Sequence, residues 1–171
     1  GVAWATWMDL SLAIQQAERV KNAFIQRRPQ ERDFFETNFK ALADTLSTLD
    51  SEFKDATTMD PRPTPVYSHP VYTYFQKAYG LTGPSLDWEP ESPLTQDMLH
   101  EIDHLKKEKG INTIVWERPP LEASIDQLAE KGIQSVVIQP LENTPDAGDF
   151  IGHMRENLKA LHSLSTDSAT H

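Results

Sequence analysis

Apolar side chains recur every three or four positions along the first part of the chain, which is the spacing of one helix face. The pattern runs over residues 8–28 and, after Pro29, resumes over residues 31–54. Proline lacks the N–H that a helix interior needs, so Pro29 predicts a break between two helices. Two long helices joined by so short a turn predict a helical hairpin over residues 1–56.

A proline-rich connector at residues 57–65 separates the hairpin from a different pattern. Beyond it, short runs typical of strands alternate with amphipathic runs typical of helices. The predicted strands are 65–68, 83–90, 111–117 and 133–139, and the predicted helices are 70–79, 95–109, 121–131 and 150–164. This alternation predicts one compact α/β domain, with a four-stranded parallel sheet and flanking helices over residues 66–164. The tail at 165–171 is expected to be flexible.

Composition narrows the classes of function. Of the 171 residues, 38% are hydrophobic and 25% are charged, as in chains with a folded core. The net charge of −10 argues against a nucleic-acid partner, since phosphate binding needs clustered Lys and Arg. The sequence has no cysteine, which excludes disulfides and thiolate metal sites. No stretch of it approaches the roughly 20 apolar residues of a membrane span.

Polar residues follow three of the predicted strands. His69 follows the first strand, Glu117 ends the third and Gln139 ends the fourth. In an open parallel sheet, ligands bind beyond the carboxyl ends of the strands, so these three side chains are the candidate site. The alternative is that they are polar only because strand ends meet water.

The other histidines, and a search for enzyme motifs, give weaker indications of function. His100 and His104 lie four positions apart on one predicted helix face, a spacing that can hold a metal. Their helix is rich in Lys, Glu and Asp, so a solvated charged face explains the pair better. The sequence has no nucleophile-elbow motif, no phosphate-binding glycine loop and no zinc-protease motif, and an enzyme is not expected.

Four segments of the chain resemble a known family. They are WMDLSLAIQQAERV (7–20), SHPVYTYFQKAYGL (68–81), IVWERPPLEASIDQLAEKGIQSVVIQPL (114–141) and MRENLKAL (154–161). Together they resemble the zinc- and manganese-binding receptors of ABC importers, a group that includes periplasmic zinc receptors and streptococcal lipoprotein adhesins. The resemblance is to the C-terminal lobe of that family and to the long spine helix that precedes it.

The resemblance implies a metal site that is incomplete in this chain. His69 stands at a ligand position of the family, and Glu117 matches an acidic position beside the site, as a supporting residue or a ligand. Gln139 stands where the family has a carboxylate ligand, and Ala5 stands where it has a ligand histidine. A further histidine belongs to an N-terminal lobe that this sequence does not contain. The implied ligand is Zn²⁺ or Mn²⁺, bound weakly or not at all.

Three interpretations of this mixture remain open. The chain is one lobe of a larger receptor, a single-lobe relative that has lost metal capture, or a protein with a rearranged site built from His69, Glu117 and a partner subunit. The family implies an ABC permease as partner and a periplasmic or lipid-anchored location, with the export signal outside this sequence.

A different class of function is an interaction module. In that alternative the lobe binds a protein or a second copy of itself instead of a metal. Its contact face would be formed by Trp4, Trp7 and the apolar stripe of the first helix.

Overall fold

The structure is a computed structural model that describes residues 4–58, 64–144 and 147–166. Its helices are α1 (Leu10–Arg27), α2 (Arg32–Ala56), α3 (Thr73–Tyr79), α4 (Gln96–Lys109), α5 (Glu122–Glu130) and α6 (Phe150–Thr166). Its strands are β1 (Pro65–Tyr67), β2 (Thr113–Trp116) and β3 (Gln134–Val137). Short 3-10 turns precede α1 at Thr6–Met8, α2 at Pro29–Glu31 and α3 at Pro70–Tyr72. Residues 59–63 of the predicted connector and 167–171 of the predicted tail lie outside the described residues.

The hairpin predicted from the helical spacing is present. The Asp9 carboxylate accepts hydrogen bonds from the backbone N–H groups of Ser11 and Leu12, which caps the start of α1. The first helix ends at Arg27, just before Pro29, and α2 then runs back along it. The C-terminal half of α2 is partly buried in the main core, whereas apolar side chains nearer the turn between the helices, such as Phe24 and Phe34, are exposed.

The sheet is parallel, and its strand order is β1-β2-β3. In the register of the sheet Tyr67 lies opposite Val115, and Val115 lies opposite Val136. The connection from β1 to β2 contains α3 and α4, and that from β2 to β3 contains α5, as the alternating pattern predicts. All three strands therefore end at the same edge of the sheet, where a ligand site was expected.

The prediction of a fourth strand at 83–90 is wrong. That segment runs beside β1 but forms only one isolated parallel bridge, between Tyr67 and Ser85. Pro84 has no N–H and can only accept, which it does from the Tyr67 N–H at 2.9 Å. Gly83 packs so closely on β1 that a Cβ there would lie 1.8 Å from the Pro65 carbonyl oxygen. The segment is an extended strap along the edge of a three-stranded sheet.

Both faces of the sheet are covered, because successive side chains of each strand point to opposite sides. One face packs Tyr67 and Val115 against the hairpin, α3 and α6. The other packs Val66, Ile114 and Trp116 against α4 and α5. This sandwich fixes the three strand ends relative to one another. No described helix combines the length and the apolar character that a membrane crossing requires.

Candidate functional site

His69 lies where β1 gives way to the 3-10 turn before α3. Its backbone is extended (φ −138°, ψ 156°), so the chain leaves the strand without a kink. The pairing with β2 continues one residue beyond the strand, since the Ser68 N–H donates to the Val115 carbonyl at 2.8 Å. Pro70 is the first residue of the 3-10 turn. Proline suits this position because an N–H group there would have no partner within the turn. The imidazole is 15% exposed and lies at the carboxyl edge of the sheet.

Three carboxylates surround the His69 ring. Its Nε2 atom lies 3.4 Å from Asp87 Oδ1 and 3.5 Å from Glu89 Oε1. Its Nδ1 atom lies 4.0 Å from Glu117 Oε2. Within the described residues, Nδ1 is buried and has no hydrogen-bond partner. The structure therefore brings His69 and Glu117 together, as predicted, and adds two carboxylates that the sequence interpretation missed.

Asp87 and Glu89 come from the strap that runs beside β1. Between them, the Trp88 side chain is buried against the Trp116 ring, with ring centroids 6.4 Å apart. The Trp88 N–H donates to the Ser68 carbonyl at 2.9 Å, which holds the strap directly beside His69. In an extended chain, residues on either side of a buried one point the same way. The polar–apolar–polar alternation at 87–89 was the available sequence signal.

Arg118 compensates part of this negative charge. Its Nη2 donates to Glu117 Oε1 at 3.1 Å, and it lies 3.6 Å from a Glu91 carboxylate oxygen. The hydrogen bond with Glu117, followed by the nearby carboxylates, raises the pKa of the Arg118 guanidinium. The guanidinium itself is exposed, so it is an adjustable counter-ion at the rim of the site.

The end of β3 is held by a buried asparagine on α6. The Asn157 carboxamide accepts from the Gln139 N–H at 2.8 Å and donates to the Gln139 carbonyl, also at 2.8 Å. Asn157 is 1% exposed, so these bonds are sheltered from water. The two bonds fix the backbone of Gln139 and leave its side chain out of the interaction.

The residues on either side of Gln139 are held as well. The Tyr72 hydroxyl donates to the Ile138 carbonyl at 2.7 Å. The Trp7 indole N–H donates to the Pro140 carbonyl at 2.7 Å, across 133 positions of sequence. Trp7 was predicted as part of a contact face, and in the structure it secures this loop.

A cavity of about 620 Å³ opens beside this loop. Its lining residues are Glu117, Arg118, Gln139, Pro140, Leu141, Glu142, Asn143, Thr144, Ala147 and His153. Leu141 adopts a left-handed backbone (φ 57°), which is uncommon for a residue other than glycine. Burial, and secondarily the charge of Glu117, raises the pKa of Glu142. Glu117 and Gln139 thus border one shared cavity, as the strand-end pattern predicted.

Ala5 provides no ligand atom. Its methyl group is fully buried in the main core, at the start of the 3-10 turn Thr6–Met8. Nearby Trp4 is exposed and its ring lies 5.4 Å from that of Trp7. Where the family resemblance expects a ligand histidine, the structure therefore has a small side chain that packs in the core.

The other histidines do not join the site. His104 is exposed and lies 3.2 Å from Glu108 on its own helix, which favours the solvated-face interpretation of α4. His153 lies at the cavity wall, with its ring Nε2 2.9 Å from the Ala147 carbonyl oxygen. As the side chains are placed, residues 4–58, 64–144 and 147–166 contain no ready-made group of three or more His, Cys, Asp or Glu ligands for a metal ion.

Comparisons with known proteins agree with this architecture. The chain is 28% identical over 166 residues to the zinc-binding lipoprotein AdcA of Streptococcus pneumoniae, which covers 91% of this chain and 32% of that protein. It is 25% identical over 166 residues to the high-affinity zinc uptake system protein ZnuA of Bacillus subtilis, which covers 91% of this chain and 51% of that protein. The chain thus spans a third to a half of these relatives.

A solved structure shows the same fold. The Zn(II)-bound ZnuA-like domain of Streptococcus pneumoniae AdcA superposes with a TM-score of 0.85, at 23% identity, over 94% of this chain and 63% of that domain. The family model described as "Zinc-uptake complex component A periplasmic" matches residues 4–164, which is nearly the whole chain. The chain belongs to the family of zinc-uptake complex component A proteins.

Proposed function

We propose that this chain is the metal-facing part of a substrate-binding protein that delivers Zn²⁺ or Mn²⁺ to an ABC importer. The observation that carries the proposal is the position of His69. It combines the family's ligand position with a ring whose two nitrogens face carboxylates at the ligand-binding edge of the sheet. Imidazole and carboxylate groups together are a ligand set suited to both metals.

The site is weaker than one with all four family ligands. Gln139 supplies a neutral amide where the family has a carboxylate, and Ala5 supplies no donor. The loop around Gln139 is nevertheless held in place by Asn157, Tyr72 and Trp7. We infer a receptor in which the scaffold of the site is retained while its ligand set has changed.

The remaining properties follow from this role. The protein is a receptor and not an enzyme, and its partner is the permease of an uptake system. It acts outside the cytoplasm, as the word lipoprotein in the name of AdcA supports. A second lobe or a second copy of the chain would supply the ligands that this chain lacks.

Zinc titration by calorimetry tests the proposal. The wild type, His69→Ala and His104→Ala are compared at neutral pH, each carrying His171→Ala so that the terminal histidine cannot bind. We expect one zinc per chain, with at least about tenfold weaker binding in His69→Ala because a ligand is lost. The matched control His104→Ala removes an exposed histidine and should bind as the wild type does. Absence of binding in the wild type, or equal binding in all three proteins, would contradict the proposal.

A second candidate function is that of a dimerisation or protein-interaction module. It is favoured by the exposed apolar side chains along the hairpin, Val20, Phe24, Phe34 and Leu42. Sedimentation velocity of the wild type and of Phe24→Ser/Phe34→Ser tests it. A dimer that the double variant abolishes supports this candidate, whereas a wild type that stays monomeric at about 100 µM eliminates self-association.

A further inference from the structure

We propose that Asp87 and Glu89 are carboxylate ligands that form a zinc site together with His69 Nε2. They would replace the carboxylate that the family resemblance places at position 139. The inference rests on the proposed function, because it names the ligands of that same site. It places the present ligands on β1 and the strap beside it, with none from the neutral side chain at position 139.

The His69 Nε2 atom lies near two carboxylates without a close hydrogen bond to either. A charge-assisted hydrogen bond between nitrogen and a carboxylate oxygen spans about 2.7–2.9 Å. Nε2 lies 3.4 and 3.5 Å from its two carboxylate oxygens, too far for a bond of that strength. Zinc ligands about 2.0–2.1 Å from the metal at tetrahedral angles lie roughly 3.3–3.4 Å apart. The two observed separations are close to this ligand–ligand spacing, so small side-chain rotations would bring His69, Asp87 and Glu89 around one ion.

The strap presents its two carboxylates on a rigid support. Trp88 is buried between them and its backbone is hydrogen-bonded to Ser68, the residue before His69. The alternation of an extended chain then directs residues 87 and 89 to the same side. The backbone that carries all three ligands is therefore fixed before a metal arrives, and only side chains need to adjust.

Glu117 faces the His69 ring nitrogen that is not proposed to bind the metal. Histidines that bind metals usually donate their other N–H to a carboxylate, a carbonyl or water, which fixes the tautomer and orients the ring. Here the Nδ1 side faces Glu117 at 4.0 Å, and Glu117 is itself held by Arg118 at 3.1 Å. Nδ1 is buried and has no partner among the described residues, so a small ring movement on metal binding would satisfy it. Glu117 is a positioning residue in this arrangement.

The site must close before it can bind. The three side chains do not already stand as a complete ligand group in the part of the chain that the structure describes. The Asp87 side chain is 95% exposed, so the entropy lost on ordering it opposes binding. The fourth tetrahedral position is left for water or for a ligand from another lobe or chain. We therefore expect weaker binding than at a preformed four-ligand site.

Zinc and cobalt titrations of three further variants test the assignment. Asp87→Asn/Glu89→Gln removes both proposed ligands, and Gln139→Ala truncates the family position. The matched control Asp126→Asn/Glu130→Gln makes the same change of charge on the exposed face of α5. We expect at least about tenfold weaker zinc binding in the first variant and unchanged binding in the other two. Cobalt bound to the wild type should give the intense visible absorption of tetrahedral coordination, and this absorption should be lost in the first variant.

The outcomes separate this inference from the function on which it rests. If zinc binds the wild type and needs His69 but binds Asp87→Asn/Glu89→Gln equally well, the receptor function stands and the ligand assignment is wrong. If Gln139→Ala weakens binding instead, the ligand set includes position 139 and the assignment is again wrong. If the wild type binds no zinc, the proposed function and this inference both fail.

Discussion

The carboxyl ends of β1 and β3 differ in the charge of their side chains and in how firmly their backbone is held. At the end of β1, carboxylates surround the His69 ring, and those of Asp87 and Glu89 are exposed. At the end of β3, Gln139 is uncharged, and its backbone is held by a buried asparagine. One end has charged side chains that reach the surface, and the other has a firmly held backbone with a neutral side chain.

This difference teaches that the scaffold of a site and its ligands are separable. The bonds to residues 138–140 go to backbone atoms, so they do not depend on the side chain at position 139. Such a loop keeps its shape when the ligand changes, because it is also part of the hydrophobic core through Ile138.

The largest expected effect comes from removing the support of β3. Asn157→Ala leaves the N–H and the carbonyl of Gln139 without partners in a sheltered position. Unpaired buried polar groups each cost about 1–3 kcal/mol, so we expect the free energy of unfolding to fall by about 2–4 kcal/mol. Urea unfolding followed by circular dichroism measures it.

The matched control for that variant is Asn143→Ala. Asn143 is exposed on the cavity wall, and surface substitutions usually change stability by less than about 0.5 kcal/mol. Equal stability of Asn157→Ala and the control would show that the end of β3 is not held by this side chain, and the contrast between the two strand ends would disappear.

Restoring a carboxylate at the end of β3 should have an intermediate effect. In Gln139→Asp the backbone clamp is kept, and an anionic oxygen is added at the cavity that Glu117 also lines. We expect zinc affinity to rise about tenfold or more, equivalent to about 1.4 kcal/mol. Competition with a chromophoric zinc chelator measures the change.

Asn143→Asp is the control for charge in that experiment. It adds the same negative charge to the wall of the same cavity, but not at the residue that Asn157 holds. A similar gain in both variants would mean that the gain reflects general attraction of cations. No gain in Gln139→Asp would mean that the retained loop no longer directs residue 139 at the metal.

Much of the fold could be predicted because it depends on how apolar residues are spaced within short stretches of the sequence. The hairpin, the crossover helices and three parallel strands follow from the spacing of apolar residues, with helix ends displaced by a few positions. The strap at 83–90 could not be recognised as such from hydrophobic alternation alone. Its departure from a strand depends on Pro84 and on the close approach of Gly83 to β1.

The candidate site was predictable only where strand ends determine it. His69 and Glu117 meet because neighbouring parallel strands end at the same edge, a general property of such sheets. The roles of Asn157 and Trp7 were not visible, because each contact joins residues far apart in sequence with no pattern linking them. Asp87 and Glu89 were missed because the alternation at 83–90 predicts a strand but does not indicate which groups its polar side faces.

The smallest expected effect concerns Glu142, on the cavity wall between the two ends. Burial, and then Glu117, raises its pKa above the ordinary 4.5, while Arg118 and His69 oppose the shift. The folded protein therefore holds this proton to higher pH than the unfolded chain does. The stability linked to Glu142 is complete below its ordinary pKa and is lost as pH rises through the raised value.

Glu142→Gln should remove this loss and leave the protein slightly more stable at neutral pH, by less than about 0.5 kcal/mol. The advantage should shrink toward pH 4, as Glu142 becomes protonated in the unfolded state as well. Thermal unfolding of the wild type, Glu142→Gln and the exposed control Glu130→Gln between pH 4 and 7 measures it. A variant less stable than the wild type at pH 7 would show that the ionised carboxylate is held by attraction to His69 and Arg118.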